Sequence, residues 1–262
     1  MNKGKDILIC VKTYPEYSVK YTETVCIAGI LKDSRRLIRL YPITYRYLEG
    51  DMKFEKYQWI NAIIEKNPKD SRPESYKVHL DSIHLGESVD TSGNWEERKY
   101  WVLAEQNIFK SLETLLAAQE TKRTSLGLIK VREMIRFEIT EKTKHEIEEA
   151  ETRKEKIIKQ LAFFEVKKDL ELLPFRFTLH FLCDDKRCEG HRSSILDWGF
   201  GELYRKVKGR QNWKELIQQK VDQIFSFDRD THLFMGNMMS HPHAFSVLGF
   251  FWPEKERQYR LF

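Results

Sequence analysis

The chain has 262 residues, with 45 Lys+Arg against 40 Asp+Glu, and 41% of it is hydrophobic. That length allows one large or two modest domains, each able to bury a core, and 13% aromatic residues exclude a disordered chain. The net charge of +5 is spread along the sequence, so charge alone does not make this a nucleic-acid binder.

The longest apolar stretch, residues 244–253, is far shorter than the ~20 residues of a membrane-spanning helix. The opening Met1-Asn2-Lys3-Gly4-Lys5-Asp6 leads into only five apolar residues, too few for a secretory h-region. Four cysteines, two of them inside apolar runs, do not make a disulfide framework. The expectation is a cytoplasmic protein with no membrane partner.

In chain order, residues 7–12, 24–31 and 36–43 are β-branched and apolar, the last two joined as a hairpin across Lys32-Asp33-Ser34. Residues 57–65 predict a fourth strand, 70–75 a loop around Pro73, and 77–85 a fifth strand. Many short strands at even spacing predict a small barrel or a strongly bent sheet. Residues 100–119 carry apolar positions at helical spacing, and 125–130 and 135–139 predict strands.

Residues 141–160 are densely charged, with Glu149→Arg153 and Glu155→Lys159 four apart and a thin stripe of Ile147, Ala150, Ile157 and Leu161. This predicts an exposed connecting helix and a division into three: 1–140, a β-rich domain with the helix at 100–119; 141–171, the charged connector; and 172–262, an α+β domain. The last part predicts a strand at 175–182, a Cys/His loop at 183–191, helices at 195–207 and 213–225, and strands at 232–235 and 244–252. The expected class is α+β and β-rich, two small barrels or bent sheets with interspersed helices.

Three groups of residues could carry chemistry. Cys183, Cys188 and His191 lie within nine residues, and two thiolates with an imidazole suit tetrahedral zinc, with Gly190 allowing the tight turn. The expected role is structural. His180 would point to the opposite face from Cys183, so the fourth ligand is sought at His241 or His243, with His241 preferred. A second group, Asp184, Asp185, Asp197 and Glu202, could hold Mg²⁺ for phosphodiester hydrolysis, with Glu165-Val166-Lys167 an E-x-K triplet of the kind seen on nuclease strands.

The third group is a binding surface. If Ile38 and Leu40 face the core, period-2 alternation exposes Arg39 with Tyr41, and Arg36 and Arg46 lie close by. Cations beside aromatic rings suit single-stranded nucleic acid. A second basic cluster, Arg205, Lys206, Lys208 and Arg210, has no acid within residues 205–214. No phosphate-loop, dinucleotide-binding, zincin or nucleophile-elbow motif is present. Cys10 and Cys26 sit in apolar strands, where a cysteine behaves as a small hydrophobe.

Leu8-Ile-Cys-Val-Lys-Thr-Tyr14, Ile38-Arg-Leu-Tyr-Pro-Ile43, residues 70–75, Thr124-Ser-Leu-Gly-Leu-Ile-Lys130, Cys188-Glu-Gly-His191 with Asp197-Trp198, and Phe234-Met-Gly-Asn237 through Phe251-Trp-Pro253 resemble a group of uncharacterised bacterial proteins of a dual OB-like family. The resemblance implies two small OB-like barrels, association with nucleic acid, and a setting in bacterial conflict or antiviral loci. It transfers no catalytic residue. Gly199 stands directly after Trp198, where relatives carry an acid.

The expected function is a nucleic-acid-binding accessory module. The alternatives are a metal-dependent nuclease and a protein-interaction subunit of a larger ATPase or nuclease complex, its partner encoded by a neighbouring gene.

Overall fold

Strand β1 (Lys5–Lys12) has no solvent face: Ile7 to Val11 are all buried. A continuous apolar run of this kind belongs to a strand covered on both sides. Ile7 and Ile9 point into the first half of the protein, whereas Leu8, Cys10 and Val11 pack against the second. The computed structural model describes residues 3–18, 22–160 and 170–256.

Around β1 are gathered β2 (Glu16–Ser18), β3 (Thr22–Leu31), β4 (Leu37–Ile43), β5 (Gln58–Ala62), β6 (Ile64–Lys66), β7 (Ser75–Val78) and β8 (His84–Ser88). Their order is β6-β7-β4-β3-β1-β5-β8, with β2 on β3. All pairings are antiparallel except β4 with β7. β5 and β6 are separated only by Ile63, so one stretch of chain serves both sides of the sheet, which curls into a half-barrel. Ile7, Ile9, Val25, Ile27, Leu40, Ile43 and Phe54 fill it.

Helix α1 (Ser92–Val102) leads out of the first half, and the second contains β9 (Ile108–Phe109), α2 (Leu112–Lys122), β10 (Leu126–Glu141), α3 (Lys144–Gln160), β11 (Phe175–Cys183), β12 (His191–Ile195), α4 (Trp198–Val207), α5 (Trp213–Ile224), β13 (His232–Met238) and β14 (His241–Phe251). Strands β10-β11-β12-β14-β13 form a five-stranded barrel, closed because β13 pairs back with β10. Within the ring only β12 and β14 run parallel. Alternation builds its interior: on β11, Phe177, Leu179, Phe181 and Cys183 are buried. Phe200 and Tyr204 of α4 and Ile217 and Val221 of α5 pack into the same core. The β-rich α+β class with two small barrel-like halves is the observed one.

Several expected elements differ for local reasons. The helix expected over 100–119 is two helices, because buried Asn107 leaves the periodic pattern to serve the β3–β4 hairpin. Its Oδ1 accepts from the Leu37 amide (3.0 Å) and its Nδ2 donates to the Arg35 carbonyl (2.8 Å). Ser111 then starts α2 in a reciprocal capping box with Thr114. The strands expected at 125–130 and 135–139 are one 16-residue strand, irregular in register near 131–136. The run at 77–85 is interrupted by a turn at Leu80–Ser82, and β12 takes the first residue of the helix expected from 195.

A division after residue 140 would cut β10 from its ladder. Residues 126–130 pair with β13 and 131–141 with β11, so the strand belongs with the C-terminal sheet. Charged α3 is largely exposed, with Ile147 and Ala150 half-buried. The two halves share an apolar layer in which Leu8, Val11, Ala28 and Leu37 meet Leu126, Leu128, Phe234, Leu248 and Phe251. No helix among the described residues is long and apolar enough to cross a membrane.

Candidate functional site

The β11–β12 turn brings Cys183, Cys188 and His191 together, their ligand atoms all within 4.8 Å of one another. Cys183 ends β11 facing inward, wholly buried, and Cys188 is nearly so. Gly190, at φ 114°, supplies the left-handed step that returns the chain to His191. Cys188 Sγ lies 3.3 Å from His191 Nε2 and accepts the Cys183 amide at 3.2 Å.

Ligand lengths of about 2.3 Å for sulfur and 2.0–2.1 Å for nitrogen set a tetrahedral S···N edge of roughly 3.6 Å. The Cys188–His191 edge is therefore within a few tenths of an ångström of that of a metal site. Burial pushes the Cys183 thiol up to about 12, so without a cation it stays protonated.

The fourth position is not filled by His241. That residue is exposed at the start of β14, bonded to Ser240, and outside the cluster, as is His243. A flexible loop made it an attractive ligand in sequence, but the barrel pairs the loop with β13 instead. The carboxylate that reaches His191 is Glu113, on the first turn of α2, with Oε1 3.3 Å from His191 Nε2. Desolvation raises the Glu113 carboxyl, but the Ser111 hydroxyl, a backbone amide and His191 outweigh it and hold it low. Only folding places Glu113 beside the loop.

The other carboxylates do not converge. Asp184 is exposed and Asp185 is engaged by Arg187 (3.1 Å). Asp197 is buried and ion-paired with Lys56, whereas Glu202 takes Arg205 at 2.8 Å. Among the described residues, Cys183, Cys188 and His191 are the only three His, Cys, Asp or Glu groups close enough to share a metal. The E-x-K triplet 165–167 lies outside the described residues.

The basic clusters are largely compensated. Arg46 pairs with buried Glu23 at 2.8 Å, and Arg205 and Lys208 both reach Glu171, 37 residues before Lys208. Arg39 is not exposed. Leu37 through Leu40 are all buried, because the face carrying Leu37 and Arg39 packs on the second half. Arg36, Lys206 and Arg210 remain exposed. Half-buried Tyr41 and buried Arg39 line a cleft between the halves with Tyr14, Thr24 and Asn237.

A row that the sequence reading missed crosses the barrel, with exposed Arg136 and Arg192 on either side of half-buried His180. Arg136, His180 and Arg192 are successive cross-strand partners on β10, β11 and β12. One carboxylate, Glu138, serves all three, at 2.8 Å from Arg136, 3.0 Å from His180 and 3.9 Å from Arg192. Its bond to His180 is the main reason its carboxyl is held low. The alternation of Arg176, Thr178, His180 and Leu182 with Phe177, Leu179 and Phe181 was a usable signal for this face.

Comparison with protein families assigns residues 107–262 to a domain of unknown function, DUF8757. The chain belongs to the DUF8757 family. Residues 3–104 match a second domain of unknown function, DUF8758. No curated protein matches this DUF8757 sequence. The two matches meet between α1 and β9, where the chain passes from the half-barrel to the closed barrel.

Proposed function

We propose that this protein is a nucleic-acid-binding accessory module built from two OB-like barrels, with a structural zinc stapling the second. The topology supports the OB-like reading. In the closed barrel the order first-second-third-fifth-fourth, a parallel third–fifth pair and helices between the third and fourth strands follow the OB Greek key. The half-barrel repeats the scheme, with β1, β3, β4, the β5–β6 stretch and β7 as its five strands and β4 parallel to β7.

The observation that carries the function is the Arg136–His180–Arg192 row. Strands two and three are the face on which OB folds take oligonucleotides. Here β11 and β12 present His180 and Arg192, with Arg136 alongside. The side chains of Arg136 and Arg192 are 62% and 66% exposed. Exposed Arg36, Lys206 and Arg210 would extend the phosphate contacts.

Fluorescence anisotropy with labelled single-stranded oligonucleotides tests this. Affinity should fall steeply between about 50 and 200 mM salt, and Arg136→Glu with Arg192→Glu should weaken it by about tenfold or more. Unchanged affinity in that pair, or no binding by folded wild-type protein, refutes the reading.

For the metal, Cys183, Cys188 and His191 with Glu113 would hold zinc, which when bound cross-links the β11–β12 loop to α2. Mg²⁺-dependent cleavage by purified protein would instead favour the metal-dependent nuclease, although Asp184, Asp185, Asp197 and Glu202 do not converge. The bacterial antiviral setting, and any ATPase or nuclease partner, would be read from the neighbouring genes.

A further inference from the structure

We infer that the cleft between the two halves binds a phosphate-bearing small ligand of mononucleotide size, held by Arg39. The cleft encloses about 370 Å³, within the range of small-molecule sites. Arg39, only 4% exposed, lies in its wall. Its guanidinium donates to Cys26 Sγ (3.2 Å) and to the Ser125 carbonyl (3.0 Å) and hydroxyl (3.4 Å), all neutral groups.

Its Nε has no partner, and among the described residues Arg39 forms no ion pair. The nearby Glu74 carboxylate is engaged by the Ser125 amide (3.1 Å) and hydroxyl (2.9 Å). The carboxylate therefore reaches Arg39 only through the Ser125 hydroxyl, and a buried guanidinium with no direct anion is costly.

A second buried group in the same wall is incomplete. Asn237, 3% exposed, donates through Nδ2 to the Pro242 carbonyl at 2.6 Å, leaving Oδ1 without a donor. The cleft wall thus holds a cation with no direct anion and an acceptor without a donor, and Tyr14 and Tyr41 line the same cleft. A phosphate answers the first and the amino edge of a base the second, and the rings can stack on that base.

Arg72 is not a competing anchor, because Asp70 holds it at 2.9 and 2.6 Å and it also donates to the Asn237 carbonyl. Glu16 also lines the cleft, exposed, with Lys69 exposed opposite in charge. None of these residues belongs to the Arg136–His180–Arg192 row, so the inference stands apart from oligonucleotide binding.

The test is calorimetry and thermal shift on the full chain with AMP, CMP, GMP, UMP, adenosine and inorganic phosphate. At least one mononucleotide should bind and raise the melting midpoint, with its nucleoside inert, and Arg39→Met should weaken binding by tenfold or more. Because Arg39 also bridges to Ser125, Ser246→Phe is a second variant that fills the cleft, keeps Arg39, and should abolish the same binding. No response of wild-type protein to any mononucleotide, equal response to nucleoside and nucleotide, or a response to inorganic phosphate alone overturns the assignment. Unchanged oligonucleotide binding in the Arg136/Arg192 variant, with mononucleotide binding intact, removes only the earlier reading.

Discussion

Phe251→Ala tests whether the two halves unfold as one. Phe251 is fully buried at the end of β14, yet its neighbours come from both halves: Tyr57 at 6.5 Å, Trp95 at 5.5 Å and His232 at 6.3 Å between ring centroids. Truncating a buried Phe costs about 3–5 kcal/mol, and each aromatic edge contact adds about 0.5–1.5 kcal/mol. A loss near 4 kcal/mol, at roughly 2–4 °C per kcal/mol for a chain of this size, moves the melting midpoint by about 10 °C. The shared layer of Leu8, Val11 and Ala28 with Leu126, Phe234 and Leu248 makes that shift common to the whole molecule. Scanning calorimetry should give one transition, displaced as a unit. The control, Phe181→Ala, removes an equally buried ring from the second core alone and should shift the same single transition. Two resolved transitions, only one of them moved by Phe251→Ala, would refute the shared core.

Two further predictions follow from buried polar groups. Burial, helped by Lys56, lowers Lys12 to about 8, although its ammonium donates to the Tyr45 hydroxyl at 3.0 Å and sits 4.5 Å above that ring. A lysine depressed in the fold keeps its charged form at a cost below pH 8, and that cost fades as pH rises from about 8 to the unfolded value near 10.4. Lys12→Met should therefore stabilise the protein by about 2 kcal/mol at pH 7, after allowance for partial hydration, with the gain vanishing above pH 10.5. Urea denaturation across pH checks this, and a pH-independent difference between the two proteins refutes it. For the metal, elemental analysis should find about one zinc per chain. Cys183→Ser with Cys188→Ser should lose it together with stability, and a metal-free native protein ends the zinc reading.

Much of the strand content was legible, because it rests on local pattern. β1, β3 and β4 show as β-branched apolar runs and α5 as a helical stripe, since each buries a face that its own sequence marks. The Cys/His loop was legible because its three donors lie within nine residues. Barrel closure was not, since it depends on β10 pairing with β13, whose strand begins about a hundred residues later. The carboxylate beside the loop was hidden for the same reason: Glu113 is seventy residues before Cys183 and reaches His191 only through α2. Asn107 shows another kind of failure, in which a polar side chain stitched to a distant hairpin breaks a pattern that would otherwise continue as helix.

Charge was the least legible property, and the reason is general. A run of cations in sequence says nothing about acids that folding brings to it, and here Glu23 neutralises Arg46, while Glu171 reaches both Arg205 and Lys208. The converse error is the informative one. Period-2 alternation assigned Arg39 to solvent by assuming that β4 has one wet face, but that face is covered by the second half of the protein. Such a covering layer would select an apolar residue at position 39 if packing were the only demand, since a buried arginine without a direct carboxylate partner destabilises the fold. Its neighbours Leu37, Ile38 and Leu40 are what packing alone selects. The cation at 39, beside a cleft with an unsatisfied amide, is therefore a local conflict of the kind that marks function rather than stability.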